Sequence, residues 1–543
     1  MTGLSERIVR VPGVVDIDRA KGVLRDLPNR LATGQVGELL EGVAGSSLYL
    51  SRLITRHSDW LSEVIPLRPE QVMKDLGEAQ AAELAAMNAI GDVGKYLRQT
   101  KSRGALLIAM ADLSGAWELE ETTEALTSLA DAAVLGASKW LLSREIARGK
   151  LPGLSEEDVQ NGAGYVILAM GKMGAKELNY SSDIDLIALF DEERFAPSDV
   201  LDARARYIAI TRDLVKLLSE NTGEGYVFRT DLRLRPAPST TPVCMAMEAA
   251  ERYYESVGRT WERAAHIKAR ALGDVVAGKR YLAALEPFIW RRHLDFAAIE
   301  DTQIMLRKIR EQKIGYGRDA VRGRNLKLGP GGIREIEFFA QTRQLIFGGR
   351  NALLRAPTTL GALAALSAEG LLDDADHRTL AADYRSLRMI ENRLQMIEDA
   401  QTHVVPKSDE SFDRLAALCA KTSPADLEND LATIFARVHK TCTEFFQSGD
   451  TRTSKGVLAD ASAIKTTTGQ FSDPERAGRV LEKWHEGGIA ATRSERARAL
   501  FLKLEPQILS RLSGASNPDT ALVHFDRFLS GLPAGVQLFS LFT

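Results

Sequence analysis

Two aspartates separated by one residue, Asp183 and Asp185, stand at the start of an apolar run in the segment SSDIDLIALF. If this run is a strand, the two side chains lie on one face, about 6 to 7 Å apart at the Cβ level. A third carboxylate, Asp231, lies on a predicted strand that could neighbour theirs. Clustered carboxylate oxygens select hard cations such as Mg²⁺ or Mn²⁺, which hold the attacking and leaving oxygens of an in-line displacement at phosphorus. We therefore predict a catalytic and metal-binding centre made of Asp183, Asp185 and Asp231.

A glycine-containing turn, GKMG, precedes these aspartates. Glycines allow backbone N–H groups to approach a phosphate closely, and Lys172 adds a positive charge, although the spacing is not that of a Walker A loop. We predict that Gly171, Lys172, Gly174 and Ser182 contribute to nucleotide or phosphate binding. A DxD pair alone is more often a solvated turn, and the combination with this turn and the later carboxylate favours a metal-phosphate site.

Four further cations follow along the chain. Arg233 and Arg235 share the predicted strand face of Asp231 in FRTDLRLRP, and Lys268 and Arg270 share a face in HIKARAL if that segment is extended. A phosphate dianion that must meet another phosphate requires such a cationic subsite. We predict that these four side chains bind phosphate, although the arginine pair could equally be an exposed strand face with charge pairing.

A second glycine-rich segment, KLGPGGIREIEF, precedes a predicted helix with Ile333, Ile336, Ala340 and Phe347 on its apolar face. The glycines favour a turn that leads into this helix. Arg334 and Glu337 are secondary candidates for the site.

The candidate residues must be positioned by a small α/β unit. Apolar runs at 162–170 and 183–190 predict buried strands. Strict alternation of apolar and charged residues over 226–235 predicts a third strand, which stops at Pro236.

The rest of the chain has helical periodicity. Residues 36–150 carry apolar residues at three- and four-residue intervals, and the pattern returns after about residue 280. The segment at 383–406 predicts an amphipathic helix that ends before a proline. The polar segment GDTRTSKG, near residue 450, predicts a surface connection and a domain boundary.

Composition excludes several classes of protein. The 543 residues exceed what one hydrophobic core usually serves, and 70 Lys and Arg nearly balance 73 Asp and Glu, so the net charge of −3 provides no general attraction to nucleic acid or membranes. The three cysteines show no CxxC spacing, which favours a reducing compartment over a disulfide framework. No run of 18 apolar residues and no signal-peptide core is present. We expect a cytoplasmic protein with neither a nucleic-acid nor a membrane partner.

Five segments taken together resemble one known family. MGKMGAKELNYSSDIDLI, FRTDLRLRP, YYESVGRTWERAAHIKAR, KLGPGGIREIEF and RLQMIEDAQTH are similar, in this order, to motifs of glutamine synthetase adenylyltransferase/adenylyl-removing enzymes. The glycine turn followed after ten residues by Asp183-Ile-Asp185 also resembles the signature of the DNA polymerase β nucleotidyltransferase superfamily. Here Lys172 stands in place of the usual serine, and Asp231 resembles the third carboxylate.

The resemblance implies an α+β, predominantly helical fold, with a DNA polymerase β-like nucleotidyltransferase core flanked by helical domains. We expect an N-terminal helical region at 1–150 and the nucleotidyltransferase core at 151–280. A helical domain that completes the site is expected at 281–450, and part of a central helical regulatory region at 451–543.

The resemblance also implies an activity. In this family two nucleotidyltransferase halves are joined by a helical region, and ELNYSSDIDL resembles the amino-terminal, adenylyl-removing half, so we expect an amino-terminal fragment. That half removes AMP from an adenylylated tyrosine of glutamine synthetase with phosphate, giving ADP, and so regulates nitrogen assimilation. The implied cofactor is Mg²⁺, with Mn²⁺ as the alternative, and a PII-type signalling protein is the implied regulator.

Two other functions stay open. The same carboxylates could serve an adenylyltransferase that attaches AMP from ATP to glutamine synthetase or to a small molecule. The chain could also be a helical scaffold with a vestigial core, and the intact carboxylate triad argues against this.

Overall fold

The computed structural model describes residues 2–291 and 321–454, residue 471, and the parts of 474–531 outside 486–488, 493–500, 503, 506–507, 510 and 516. The described residues form two compact units, the first made of those up to 291 together with 321–442, and the second of those from 443 onward. The surface connection predicted at GDTRTSKG is wrong for residues 449–454, because a helix continues to Ser454.

Helices fill the first unit before the sheet, as the periodicity over residues 36–150 predicts. They are α1 (Ile17–Arg25), α2 (Asn29–Ala32), α3 (Gly34–Ser46), α4 (Leu48–Arg56), α5 (Ser58–Val64), α6 (Pro69–Ala86), α7 (Ile90–Leu113), α8 (Leu119–Ala147) and α9 (Glu156–Gln160). Helix α7 is buried on nearly all sides in its second half, where Leu106, Leu107 and Ile108 are inaccessible. Among the described residues, no helix combines the length and apolarity needed to cross a membrane.

Five strands form one mixed sheet: β1 (Tyr165–Ala169), β2 (Ile184–Phe190), β3 (Thr230–Asp231), β4 (Cys244–Ala246) and β5 (Arg270–Gly273). The order is β3-β2-β1-β5, and β4 also pairs with β2. Strand β1 is antiparallel to β2 and β5, whereas β2 is parallel to β3 and β4. Every residue of β1 is buried, which explains its continuous apolar run. The two strands predicted at 162–170 and 183–190 are confirmed.

The strand predicted over 226–235 is wrong apart from Thr230–Asp231, and turns follow immediately. Arg233 folds back on Asp231, because its backbone N–H donates to Oδ1 at 2.7 Å and its Nε donates to Oδ2 at 2.8 Å. Arg235 donates to neighbouring backbone carbonyl oxygens. The aspartate therefore forms a side-chain-capped turn, and the two arginines do not share a strand face.

The remaining helices lie between or after these strands in the chain, and the last of them runs past residue 442, where the first unit ends. They are α10 (Gly171–Gly174), α11 (Val200–Ser219), α12 (Met247–Val257), α13 (Thr260–His266), α14 (Val275–Ala284), α15 (Glu286–Ile289), α16 (Ile333–Phe347), α17 (Thr359–Ala368), α18 (Asp374–Met396), α19 (Asp409–Leu418) and α20 (Pro424–Ser454). The helix predicted after the second glycine-rich segment is confirmed as α16, in which Ile333, Ile336 and Ala340 are buried and Phe347 is half-buried.

The helix predicted over 383–406 has different bounds. Helix α18 starts at Asp374 and ends at Met396, ten residues before Pro406. Asp399 has a φ of 53°, a left-handed conformation that a right-handed helix cannot contain. The chain therefore leaves the helix well before the proline.

The second unit has its own apolar core. Helices α21 (Pro474–His485) and α22 (Pro518–Gly531) contribute Leu481, Trp484 and Leu522 to it. The indole N–H of Trp484 donates to Asp526 at 2.9 Å. These two helices agree with the helical character predicted for this part of 451–543, and residues 455–470 and 532–543 lie outside the described residues.

We expect Gly174→Ala to lower the free energy of unfolding by about 2 to 3 kcal/mol. A Cβ at Gly174 would lie 1.9 Å from the carbonyl oxygen of Lys268 and 2.3 Å from that of Ala169, and backbone atoms cannot move aside cheaply. Gly223→Ala is the matched control, because its Cβ would meet nothing within 4 Å. Urea unfolding of both variants measures the difference, and equal stabilities would contradict this packing role of Gly174.

Candidate active site

The three predicted carboxylates meet at one end of the sheet. In the parallel pair of β2 and β3, Asp185 lies directly opposite Asp231, and Ile184 lies opposite Thr230. Asp183 immediately precedes β2, and the backbone N–H of Ile184 donates to the carbonyl oxygen of Arg229 at 2.8 Å. Neighbouring strands are about 4.8 Å apart, so Asp185 and Asp231 are adjacent side by side.

The glycine turn lies against Asp185. The N–H of Met170 donates to the carbonyl oxygen of Asp185 at 2.9 Å, which brings the end of β1 to the start of β2. Gly171 has a φ of 54°, and a Cβ there would lie 2.8 Å from Oδ2 of Asp185. Only glycine combines this conformation with so close an approach to the carboxylate.

The electrostatics of the three carboxylates differ. Burial, followed by the negative charge of Asp231, raises the pKa of Asp185 to about 6. Hydrogen bonds from Arg233 lower the pKa of Asp231. Asp183 pairs with Arg229, whose Nε lies 2.8 Å from Oδ1. The repulsion expected between close carboxylates is therefore concentrated on Asp185.

The chemistry of this donor set fits a hard divalent cation. Three carboxylates supply oxygen ligands, and a cation would remove the repulsion that raises the pKa of Asp185. In the structure Asp183 forms an ion pair with Arg229, and Asp231 forms one with Arg233. The described part of the chain contains no group of three His, Cys, Asp or Glu side chains arranged around one metal position. The residues that would hold a metal are Asp183, Asp185 and Asp231, and their role stays a prediction.

Lys172 is directed to helix α18. Its Nζ donates to both carboxylate oxygens of Glu391, at 3.1 and 2.9 Å, and to Oδ1 of Asn179 at 2.9 Å. Glu391 is inaccessible to solvent. Burial lowers the pKa of Lys172 to about 7, so this lysine is a weaker cation than a surface lysine. The structure places Lys172 as a link between the glycine turn and α18, and phosphate binding by this residue stays a prediction.

The other predicted cations also have protein partners. Lys268 is buried and lies 2.8 Å from Glu177 and 3.7 Å from Glu337. Arg270 pairs with Asp131 at 2.9 Å and donates to the carbonyl oxygen of Met173.

The remaining predicted site residues are Ser182, Glu337, Arg334 and Arg233. The hydroxyl of Ser182 donates to the carbonyl oxygen of Asp183 at 2.9 Å. Burial acts to raise the pKa of Glu337, but the charges of Lys268 and Arg334 lower it to about 2. The guanidinium of Arg334 lies over the ring of Phe338. Arg233 is the exposed exception, with 84% of its side chain accessible beside Asp231.

The sequence reasoning missed residues on α18 that fix the loop between β1 and β2. Asn392 accepts from the backbone N–H of Tyr180 at 3.1 Å, and Gln395 accepts from that of Ser181 at 2.8 Å. Both side chains are buried, with at most 1% accessible. An amphipathic pattern predicts a helix with a solvated polar face, and nothing in the pattern indicates that this face is buried.

Lys327, in the turn before α16, was also missed. Its charge and that of Arg233 oppose the rise in the pKa of Asp185. The turn is fixed by the N–H of Leu326, which donates to the carbonyl oxygen of His403 at 2.7 Å, and His403 lies 2.8 Å from Glu391. Among the described residues, the ammonium of Lys327 has no carboxylate within ion-pair distance.

Comparisons with known proteins relate the chain to two protein families. Residues 37–283 match the family model of glutamate-ammonia ligase adenylyltransferase, and residues 303–446 match that of GlnD PII-uridylyltransferase. Proteins named bifunctional glutamine synthetase adenylyltransferase/adenylyl-removing enzyme are similar along most of the chain. The one from Bradyrhizobium sp. BTAi1 is 40% identical over 99% of this chain and 57% of its own length. Those from Caulobacter vibrioides and Mesorhizobium japonicum are 40% and 41% identical, over 100% and 88% of this chain and 56% and 49% of their own lengths. The chain thus spans about half the length of the curated relatives it matches.

We expect the stability difference between Asp185→Asn and the wild type to depend on pH in metal-free buffer. A folded-state pKa of about 6, above the unfolded value of about 3.9, means that the wild type loses stability as the pH rises through 6. From pH 5 to pH 7.5 the variant should gain about 1 kcal/mol in free energy of unfolding relative to the wild type.

Urea unfolding at both pH values, with a chelator present, measures this difference. Asp213→Asn is the control, because it removes an exposed carboxylate from α11. A difference for Asp185→Asn that does not change with pH would contradict the raised pKa.

Proposed function

We propose that this chain belongs to the family of the bifunctional glutamine synthetase adenylyltransferase/adenylyl-removing enzymes and is a nucleotidyltransferase that acts on glutamine synthetase. The observation that carries the proposal is the pairing of Asp185 with Asp231 at the strand ends, next to Asp183 and Gly171. A set of neighbouring carboxylates supports this proposal because it can supply oxygen ligands to the metal ions used in transfer at phosphorus.

The finer proposal concerns the direction of transfer. We propose that phosphate attacks the α-phosphorus of AMP on a tyrosine of glutamine synthetase. A bond forms between a phosphate oxygen and that phosphorus, the bond to the tyrosine oxygen breaks, and the products are ADP and the unmodified tyrosine, which takes its proton from water. A phenol has a pKa of about 10, so it leaves without a dedicated general acid. The resemblance of ELNYSSDIDL to the adenylyl-removing half supports this direction.

Each residue of the site has a part in this proposal. Asp183, Asp185 and Asp231 would hold Mg²⁺ or Mn²⁺, which when bound neutralises charge on the phosphate oxygens. Gly171 lets the carboxylate of Asp185 lie against the backbone of the glycine turn, because a Cβ there would lie 2.8 Å from Oδ2 of Asp185. Burial of Asp185 keeps the carboxylate pair in a low-dielectric environment, where a cation is bound more strongly.

We propose Lys327 as the cation that binds the incoming phosphate. Lys172 and Lys268 already pair with buried carboxylates, so they have less charge to offer an incoming dianion. Lys327 acts on Asp185 from a turn that hydrogen bonds fix beside Glu391 and His403. A lysine without a carboxylate partner among the described residues is the better phosphate ligand.

Regulation and location are proposed on different grounds. The match of residues 303–446 to a family model named for PII-uridylyltransferase supports a PII-type signalling protein as regulator. Cys244 and Cys419 are free, buried thiols, which supports a reducing cytoplasm.

The alternative is adenylyl transfer from ATP to unmodified glutamine synthetase, because the same carboxylates serve both directions. The test incubates the chain with Mg²⁺ and either adenylylated glutamine synthetase plus phosphate or the unmodified enzyme plus ATP, and identifies the products. We expect phosphate-dependent ADP in the first mixture and no protein-bound AMP in the second.

In the same assay, Asp183→Asn and Asp185→Asn should each lose at least nine-tenths of the rate while they stay folded, because each removes a metal-binding charge. Preparations of these variants also control for contaminating activity. Protein-bound AMP without any ADP would mean that the direction is reversed, and products in neither mixture would overturn the nucleotidyltransferase assignment.

We expect Lys327→Gln to raise the KM for phosphate about tenfold and to change kcat by no more than a few-fold. Lys327→Arg should lie between this variant and the wild type, since a guanidinium also binds phosphate. The matched control is Lys279→Gln, at an exposed position of α14. An unchanged KM for phosphate in Lys327→Gln would assign phosphate binding to another cation, and Arg233 would be the next candidate.

A further inference from the structure

Arg229, which no sequence pattern singled out, joins the site to a buried chain of polar side chains. Its Nε donates to Oδ1 of Asp183 at 2.8 Å, and its Nη2 donates to the carbonyl oxygen and the hydroxyl of Ser181 at 2.9 and 3.0 Å. Its Nη1 donates to the hydroxyl of Tyr226 at 2.5 Å. All three guanidinium nitrogens are therefore used, and the fork is fixed in one plane.

This series of hydrogen-bonded side chains continues into the protein interior. The hydroxyl of Tyr226 donates to Oδ2 of Asp399 at 2.9 Å, and the ammonium of Lys101 lies 3.5 Å from the same oxygen. Lys101 also lies 5.0 Å from the centre of the Tyr226 ring and donates to the hydroxyl of Tyr49 at 3.3 Å. The side chains of Lys101 and Asp399 are only 9% and 11% accessible.

Charges alternate along this chain, from the carboxylate of Asp183 through Arg229 and the neutral Tyr226 to Asp399 and Lys101. Each buried charge thus has an opposite charge or a hydrogen-bond partner beside it. Asp399 holds its place with a left-handed backbone, at a φ of 53°. A strained backbone at a buried, hydrogen-bonded residue indicates that its side-chain position matters.

We infer that Arg229 is a positioning residue, held by Tyr226 and Asp399, that orients the carboxylate of Asp183 for metal binding. Arg229 occupies Oδ1 and fixes the rotation of the carboxylate, so that Oδ2 is presented to a cation. Hydrogen-bond partners of metal-ligating groups typically contribute 10- to 100-fold to affinity or activity. The inference rests on the proposed role of Asp183 as a metal ligand.

Tyr226→Phe is the decisive variant, because it removes one hydroxyl and leaves the ring beneath Lys101. Substitution of Asp399 or Lys101 would leave an unpaired buried charge and could unfold the chain. The matched control is Tyr253→Phe, which removes a comparable hydroxyl that donates to Glu262 at 3.1 Å, outside the chain of side chains. Arg229→Met removes the positioning group itself.

The experiment measures Mn²⁺ binding to the full chain without substrate, by electron paramagnetic resonance of free Mn²⁺, and then the Mg²⁺ dependence of the rate. We expect Tyr226→Phe to raise the Kd for Mn²⁺ about tenfold and Arg229→Met to raise it at least as much. The kcat of Tyr226→Phe at saturating Mg²⁺ should stay within a few-fold, and Tyr253→Phe should match the wild type. A role in stability alone would lower the unfolding temperature of Tyr226→Phe and leave the Kd unchanged.

A Kd in Tyr226→Phe equal to that of Tyr253→Phe overturns the positioning inference and leaves the proposed function in place. Tighter Mn²⁺ binding in Arg229→Met also overturns it, because Arg229 would then compete with the metal. The proposed function is tested by a different variant: Asp183→Asn that binds Mn²⁺ like the wild type removes Asp183 from the metal site, and the inference fails with it.

Discussion

The site depends on a hydrogen-bonded contact between the loop that enters β2 and the polar face of α18. Gln395 accepts from the side chain of Asn179 and from the backbone N–H of Ser181, 216 and 214 residues away in the chain. Asn392 accepts from the backbone of Tyr180, and Arg388 donates to the carbonyl oxygen of Glu177. The loop has no sheet partner of its own, so without α18 these backbone groups would be buried and unpaired. The direction in which Asp183 and Asp185 leave the loop is therefore set by a helix far along the chain.

This contact also explains why lysines predicted to bind phosphate are used elsewhere. Lys172 pairs with Glu391, and Arg388 lies 3.1 Å from the same carboxylate. Lys268 pairs with Glu177, whose other oxygen accepts from the backbone N–H of Thr359. Removal of one member of a buried pair typically costs about 3 to 5 kcal/mol, whereas the intact pair adds little net stability. Such pairs fix one arrangement of the loop and the helices, which a catalytic centre requires more than extra stability.

Local patterns predicted the elements whose surroundings follow from their own sequence. Strand β1 and the part of β2 after Asp185 are apolar and buried, as in a sheet covered on both faces, and the helix after the second glycine-rich segment shows an apolar face. The carboxylates of Asp183 and Asp185 could be predicted to lie together, because side chains two residues apart in an extended segment point to the same face. The alternation of apolar and charged residues over 226–235 gave a wrong prediction of a strand. Arg233 and Arg235 follow Asp231 in a turn, so the period of two does not reflect an extended chain there.

What sequence reasoning could not supply was the partner of each charge. Lys172, Lys268 and Arg270 are equally plausible phosphate ligands until their distances to Glu391, Glu177 and Asp131 are known. The two family-model matches each contain part of the site. The carboxylates lie in the match at residues 37–283, and α18 lies in the match at residues 303–446. The first match and the described residues 321–442 of the second lie in one compact unit. Since the loop of the first is hydrogen bonded to the helix of the second, neither segment alone contains all the residues that hold the site in place.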